Sequence, residues 1–491
     1  MGIVIKQSVR NTLITFIGFS IGALNAMYLY THFLGKDFYG LTIFVLSTAN
    51  LMMPLMAFGV QNTLVKFYPT CKTDLQKSQF LNLMLLLPLV VSAFIFLLLF
   101  VGQDFVNERL SRKNPIVSAS LFIIPLVALF MAYFELFYAW VKAHWQSVFG
   151  NFLKEVLLRI FVSASLFAVY KDWISKETFV YMLVVLYGLT TLLMLIFAFS
   201  VKMPSLRAGL PPQKKEYLVF SSYIIFSSSI AVLLLDIDKF MISQYIPLDQ
   251  VAFYSVAVFM ALTISVPMRA MHQITHPITT KLMAENNHHA LQELYQKTSI
   301  TLQTIGGLIM LCILTNINSI YQLVPNEYEG GFWVVFIISI SKYFDLMMGN
   351  NNSIIFNSKY YRTVLLLGLC LVGVTVLLNM LLIPSFGIEG AAIATLISIG
   401  WYSLAKLFFV VKKLHLFPFT KKTLGSILIC IITFFTIYFI DFDIHPIILV
   451  IIKSLFASML YVGLHYYFKI STDINEMIVN TANMFLNKKA L

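Results

Sequence analysis

The chain is written as long apolar blocks separated by short polar gaps. A run of about 20 mostly apolar residues is the length of a helix crossing the hydrocarbon core of a bilayer. Such runs lie near 11–34, 39–61, 80–102, 116–139, 148–170, 178–201, 217–245, 251–280, 298–317, 332–356, 363–383, 388–411, 423–440 and 446–468. Alternating ten-residue segments, the mark of a membrane β-barrel, are absent. The pattern predicts an all-α polytopic membrane protein with about 14 transmembrane helices. The largest gaps are 62–79, 202–216 and 281–297, and the last, KLMAENNHHALQELYQK, predicts a short interfacial helix. The apolar run after Arg10 is too long for the core of a signal peptide and reads as a retained first helix.

Composition agrees with the pattern. Hydrophobic residues make up 59% of the 491 positions and charged residues 11%. Soluble domains sit near roughly 45–50% and about 25%, and so apolar a chain could not cover a soluble core with polar surface.

The net charge of +12 is first a matter of topology. With the N-terminus in the cytoplasm, the outward loops carry only Lys36, Arg109, Arg112, Lys113, Lys171 and Lys176. The inward segments hold most other lysines and arginines, from Lys6 and Arg10 to Lys488 and Lys489, an excess that places both termini inside. The acids lean outward, as at Asp37, Asp104, Glu327, Glu389 and Asp441. The basic face should attract anionic lipid head groups, and the charge gives no ground for nucleic-acid binding. Cys71, Cys312, Cys370 and Cys430 have no metal-ligand or CxxC spacing and read as small packing residues.

One segment recurs. Phe38-Tyr39-Gly40 opens the second span and Phe253-Tyr254-Ser255 the eighth. Each follows a short turn, at Gly35 or Pro247, and each has a proline further on, Pro54 or Pro267. Parallel duplicated halves are a common transporter plan. The expected organisation is two pseudo-symmetric six-helix bundles, 1–201 and 217–411, two extra helices in 423–468 and a cytoplasmic tail at 469–491.

LNMLLIPSFGIEGAAIATLIS (378–398) resembles the C-terminal signature of the polysaccharide-biosynthesis flippases, O-antigen-type oligosaccharide flippases of the multidrug/oligosaccharidyl-lipid/polysaccharide exporter superfamily. DIDKFMISQYIPLDQVAFYSVAVF (236–259) is similar to that family's seventh-to-eighth helix junction, and LGKDFYG (34–40) to its first turn. The resemblance implies a multi-pass protein of the bacterial cytoplasmic membrane, without cofactor, working as a monomer on a polyprenyl-pyrophosphate-linked oligosaccharide. It also implies that 423–440 and 446–468 help form a groove for the lipid tail, with Lys453 facing it. Physically, Pro384 and Gly387 make a tight turn, and Gly390, Ala391, Ala392 and Ala394 give a small-residue face for helix packing.

Charge within the spans is where chemistry is expected, because an ionised group at the bilayer centre costs at least ~2.5–3.5 kcal/mol on insertion scales. The basic residues left there are Lys154, Arg159, Lys239, Arg269, Lys342, Lys406 and Lys453; the acids are Glu135, Glu155, Asp236, Asp238 and Asp345. Lys406 and Glu135 are near the inner ends of their helices, where snorkelling or interfacial placement is expected. Glu155/Arg159, Asp236/Lys239 and Lys342/Asp345 are spaced to pair along a helix. Such pairs either neutralise one another for burial or give a polar lining to a cavity.

Arg269, His272 and His276 share one helix face, and no acid within helical reach neutralises Arg269. A guanidinium fork matches two phosphate oxygens, and neighbouring histidines can donate hydrogen bonds; alternatively His272 and His276 simply approach the cytoplasmic interface. Lys6 and Arg10 either guard an inner mouth or are ordinary inside charges.

The expected substrate-binding set is therefore Arg269, His272, His276, Arg159, Lys239, Asp236, Lys342 and Arg10. It would line a cationic cavity between two rocking bundles, with no catalytic residue and no metal. A multidrug/cation antiporter, a lipid II flippase and a membrane polysaccharide polymerase are the competing readings. The first span has no acid of the kind many such antiporters carry, and the short outer loops disfavour the polymerase.

Overall fold

The computed structural model describes residues 2–440, 442–476 and 479–480. Asp441 and residues 481–491 of the expected tail, with Lys488 and Lys489, lie outside the described residues. Among those described, every regular element is helical.

The first helix, α1 (Gly2–Leu24), runs on as a π-helical segment (Asn25–Leu34). There follow α2 (Lys36–Ala57), α3 (Val60–Phe67), α4 (Asp74–Val101), α5 (Gln103–Ser111), α6 (Ile123–Ala143) and α7 (Val148–Phe152). A second π-helical segment, Leu153–Leu157, joins α7 to α8 (Leu158–Tyr170), then α9 (Lys176–Val201), α10 (Lys214–Tyr245), α11 (Leu248–Leu262) and α12 (Val266–Ala284). The rest are α13 (His288–Leu314), α14 (Ile317–Tyr321), α15 (Phe332–Met347), α16 (Asn351–Asn357), α17 (Tyr361–Leu414), α18 (Lys421–Tyr438) and α19 (Pro446–Tyr467).

Eleven helices among the described residues are long and apolar enough to cross a membrane. One of them, Arg362–Leu414, contains two of the predicted spans, and the predicted spans 148–170 and 217–245 are helical as well. The protein is an all-α, multi-pass membrane protein with about fourteen transmembrane helices.

Local chemistry sets the boundaries. Gly35, at φ 77°, lets the chain turn into α2. Thr73 and Gln76 form a reciprocal capping box at the start of α4. The Ser175 hydroxyl caps α9, accepting from Thr178 N at 3.1 Å. Inside α17, Gly387 breaks the helix at φ 59°, ψ −136°, where the 378–398 motif calls for a turn. Beyond it Gly390, Ala391, Ala392 and Ala394 are all buried.

The segment 281–297 corrects an expectation. No separate interfacial helix forms: α12 runs to Ala284, the chain turns with Asn286 at φ 53°, and α13 begins at His288. Asn tolerates the left-handed conformation, and the Asn287 side chain caps α13, accepting from Ala290 N at 3.1 Å.

Two compact units are distinguished by internal contacts: Met1–Ser255 with Ile383–Gly387, and Val256–Leu382 with Ile388–Leu491. The first unit has an aromatic-rich core, with Phe80, Phe137, Trp140 and Met194 packed against Val60 and Leu64. In it α10 lies on α2, with Phe44 and Phe240 stacked at 6.2 Å between centroids. In the second, Leu291, Tyr295, Ile354, Ile355 and Val410 form a core.

The repeated segments are built alike. α2 gives way to α3 after Pro54, and α11 gives way to α12 at Thr263–Ser265, just before Pro267. Tyr39 and Tyr254 are both buried and reach back to the preceding helix: Tyr39 donates to the Ala26 carbonyl at 3.2 Å and Tyr254 to Asp238 Oδ2 at 2.8 Å.

Candidate functional site

In the first unit the intramembrane charges collect around α8 and α10. Arg159 pairs with Glu155 one turn earlier, at 3.0 Å, as their spacing predicts. Its other amino group donates to the Gly18 carbonyl on α1. That contact exists because α1 has no side chains there: a Cβ at Gly22 would lie 2.6 Å from Arg159 Nη1, and one at Gly18 would strike the Glu155 backbone carbonyl. Gly18 and Gly22 are a small-xxx-small pair, a spacing that lets helix backbones approach in a membrane.

One turn on, Asn25 Nδ2 donates to the Arg159 carbonyl at 3.0 Å, and Ser163 Oγ donates to Asn25 Oδ1 at 2.6 Å. The π-helical segment of the first helix therefore starts where it is tied to α8. On α10, Lys239 pairs with Asp236 at 2.8 Å. Tyr187 on α9 lies within electrostatic reach of both Asp236 and Arg159, so these charges form one neighbourhood. Glu135 on α6 pairs with Lys154 in the π-helical segment before α8, a contact no single-helix spacing shows. Arg10 is exposed, and the Lys6 side chain lies outside the described ones.

The second unit carries the other candidates. Arg269 is exposed on α12, and no carboxylate among the described residues pairs with it. His272 is half-buried, within electrostatic reach of Asp345 on α15 and Lys406 on α17. Asp345 accepts from Ser403 Oγ at 3.1 Å. Lys342, half-buried on α15, sits one turn before it. His276 is exposed, with Nδ1 3.4 Å from Asn357 Nδ2.

Lys406 does not snorkel, which corrects the sequence-based expectation. Its residue is 1% exposed, its Nζ donates to Asn352 Oδ1 at 3.1 Å, and it rests 4.1 Å from the centroid of the Tyr402 ring. An amide oxygen and an aromatic face hold it where the expectation placed water. Lys406→Met should therefore leave the thermal melting temperature in detergent unchanged or raise it, since an apolar side chain of similar length removes a buried charge. A drop of several degrees would show that the Asn352 contact and the attraction of Asp345 together outweigh desolvation.

The asparagines of this unit escaped the sequence reading. Asn350 Nδ2 donates to Thr279 Oγ1 at 2.8 Å, and its Oδ1 is 3.4 Å from Thr298 Oγ1, joining the α15–α16 turn to α12 and α13. Asn357 Oδ1 accepts from Thr280 Oγ1 at 2.9 Å. With the Asn352–Lys406 contact these make a polar seam through α12, α16 and α17. Its signal was in view: GNNNS, 349–353, is an uncharged polar run at the end of an apolar span.

Among the described residues no group of histidines, cysteines and acids could hold a metal ion. Cys71, in the 68–73 turn, is buried, and burial pushes its thiol above the ordinary range.

A family model described as "Polysaccharide biosynthesis protein" matches residues 5–283, more than half of the 491-residue chain. The chain belongs to the polysaccharide biosynthesis protein family. Solved structures show that this family member has the fold of a transporter superfamily. It is similar to the lipid II flippase MurJ in an inward closed conformation, with TM-score 0.73 and 12% identity over 94% of this chain and 98% of that one. It is similar to an inward-facing multidrug resistance MATE family transporter of the MOP superfamily, with TM-score 0.62 and 11% identity over 83% and 98% of the two chains. A MOP superfamily transporter from Pyrococcus furiosus matches with TM-score 0.57 and 14% identity over 84% and 96%. No curated protein sequence matches the chain.

Proposed function

We propose that this polysaccharide biosynthesis protein is a flippase. It moves a polyprenyl-pyrophosphate-linked oligosaccharide across the bacterial cytoplasmic membrane for surface polysaccharide synthesis, by alternating access through a cationic cavity. The observation that carries the reading is the match to the polysaccharide biosynthesis family on a chain whose fold is that of flippases and exporters.

The chemistry is consistent with it. A sugar pyrophosphate cannot cross hydrocarbon unaided, and the exposed guanidinium of Arg269, which no carboxylate among the described residues pairs with, suits a pyrophosphate. Arg159, Lys239 and Asp236 supply paired charge in the first unit; His272, His276 and Lys342 accompany Arg269 in the second; Arg10 stands near the first helix's entry. Moving a lipid-linked sugar between leaflets breaks no covalent bond, so no catalytic residue is called for. Both termini are placed in the cytoplasm by the distribution of basic residues, and the protein acts as a monomer.

The test is to delete the gene and identify which lipid-linked intermediate accumulates. A polyprenyl-pyrophosphate oligosaccharide held at full repeat-unit length in the inner leaflet, and cleared by the restored gene, is expected. Accumulated peptidoglycan precursor with lysis would replace this reading with lipid II flipping. Altered chain length with normal translocation would replace it with polymerisation, and a changed drug resistance with an unchanged surface glycan would replace it with drug export.

A further inference from the structure

Helices α4, α6 and α9, with the loop that follows α9, line an open apolar groove of about 720 Å³ in the first unit. Leu86, Leu89 and Leu192 form its walls and are themselves exposed. At Gly188 the missing side chain lets α9 pack closely on α6: a Cβ there would lie 3.3 Å from the Phe130 ring, which also lines the groove. Gly209 and Leu210 close one end.

That end is a fixed and basic structure. Gln79 Nε2 donates to the Ala208 carbonyl at 3.0 Å, and Asn82 Nδ2 donates to the carbonyls of Ser205 at 2.9 Å and Gly209 at 3.2 Å. The loop is thus pinned to α4. Arg207, Lys214 and Lys215 flank it, all exposed, and among the described residues none of them has an ion-pair partner. Lys202 differs, being paired with Asp74 at 3.0 Å. Glu216 follows the two lysines and leaves the flank net positive.

In a bilayer an apolar groove does not select by hydrophobicity, because lipid tails are as apolar as leucine. Shape and head-group charge do the selecting, and basic pockets at the membrane face take anionic head groups. We propose that this groove is a binding site for an anionic phospholipid, one acyl chain lying along Leu86, Leu89 and Leu192 and the phosphate resting against Arg207, Lys214 and Lys215. The site is separate from the charges assigned to transport.

Native mass spectrometry of the full chain in detergent, offered equal amounts of phosphatidylglycerol and phosphatidylcholine, tests this. The wild type should retain phosphatidylglycerol about a hundredfold over phosphatidylcholine, each of the three basic residues contributing about fivefold. Arg207→Gln, Lys214→Gln and Lys215→Gln together should bring the ratio near one. Leu89→Trp and Leu192→Trp fill the groove from exposed positions and should lower retention of phosphatidylglycerol without loss of folded protein. Equal retention of the two lipids by the wild type overturns the proposal. So does a preference untouched by either set of variants, which would place the bound lipid elsewhere on the basic face. In a second mixture of equal phosphatidylglycerol and polyprenyl phosphate, preferential retention of the polyprenyl phosphate also overturns it and gives the groove to a prenyl tail.

Discussion

Arg269→Ala is expected to abolish export of the surface polysaccharide while the protein still inserts and folds. Arg269 is exposed on α12 and pairs with no carboxylate among the described residues, so truncation leaves no buried charge behind. Thermal melting should therefore stay close to wild type. Transport should not, if the guanidinium holds a pyrophosphate. A charge-assisted hydrogen bond is worth about 1.5–3 kcal/mol, roughly ten- to a hundredfold in affinity, and a forked pair can use two. Arg269→Lys keeps the charge and loses the fork, and should export weakly rather than not at all. The comparison is made by quantifying surface glycan at matched membrane levels of each variant. Wild-type export by Arg269→Ala would remove Arg269 from the site and leave the family reading of the chain intact.

Gly40→Val should cause a large loss of folded protein. Gly40 closes the first Phe-Tyr-Gly segment, on α2, and its Cα faces the start of α11 so closely that an added Cβ would overlap the Leu248 carbonyl oxygen. No flexible side chain is there to give way, so one helix backbone has to move. The cost should reach about 3 kcal/mol, the upper end for overpacking, and lower the melting temperature in detergent by several degrees. Gly373→Ala is the control: a Cβ there meets nothing within 4 Å, and a helical alanine is at least as stable as a glycine. A Gly40→Val protein that melts with the wild type would show that the contact at Leu248 is relaxed in the membrane. The second copy of the segment ends in Ser255 rather than glycine, so the close approach belongs to one copy of the repeat.

The candidate site was legible in the sequence to the extent that its contacts run along a single helix. Glu155 with Arg159 and Asp236 with Lys239 pair as a helical period requires. Contacts between helices were not legible in the same way. Lys406 looked like a snorkelling end-of-helix lysine and is instead buried on Asn352, because another helix covers the place where water was expected. Glu135 meets Lys154 across two elements. The Gly18/Gly22 face that admits Arg159 and the asparagine seam around 350–357 were both in view as residues and carried no meaning until their partners were known.

By itself, the sequence determined that this is a helical, many-spanning membrane protein, roughly where its membrane spans lie, and that its family is one of polysaccharide biosynthesis. Each of these follows from one-dimensional information: a bilayer demands about 20 apolar residues per crossing, and hydrogen bonds inside a helix are satisfied by near neighbours. Only the tertiary structure decided which intramembrane charges are partnered, where glycine replaces a wall, and which asparagines hold helices together. Those depend on the rotation of each helix about its own axis, which is set by packing against the others and leaves no periodic trace in any single span.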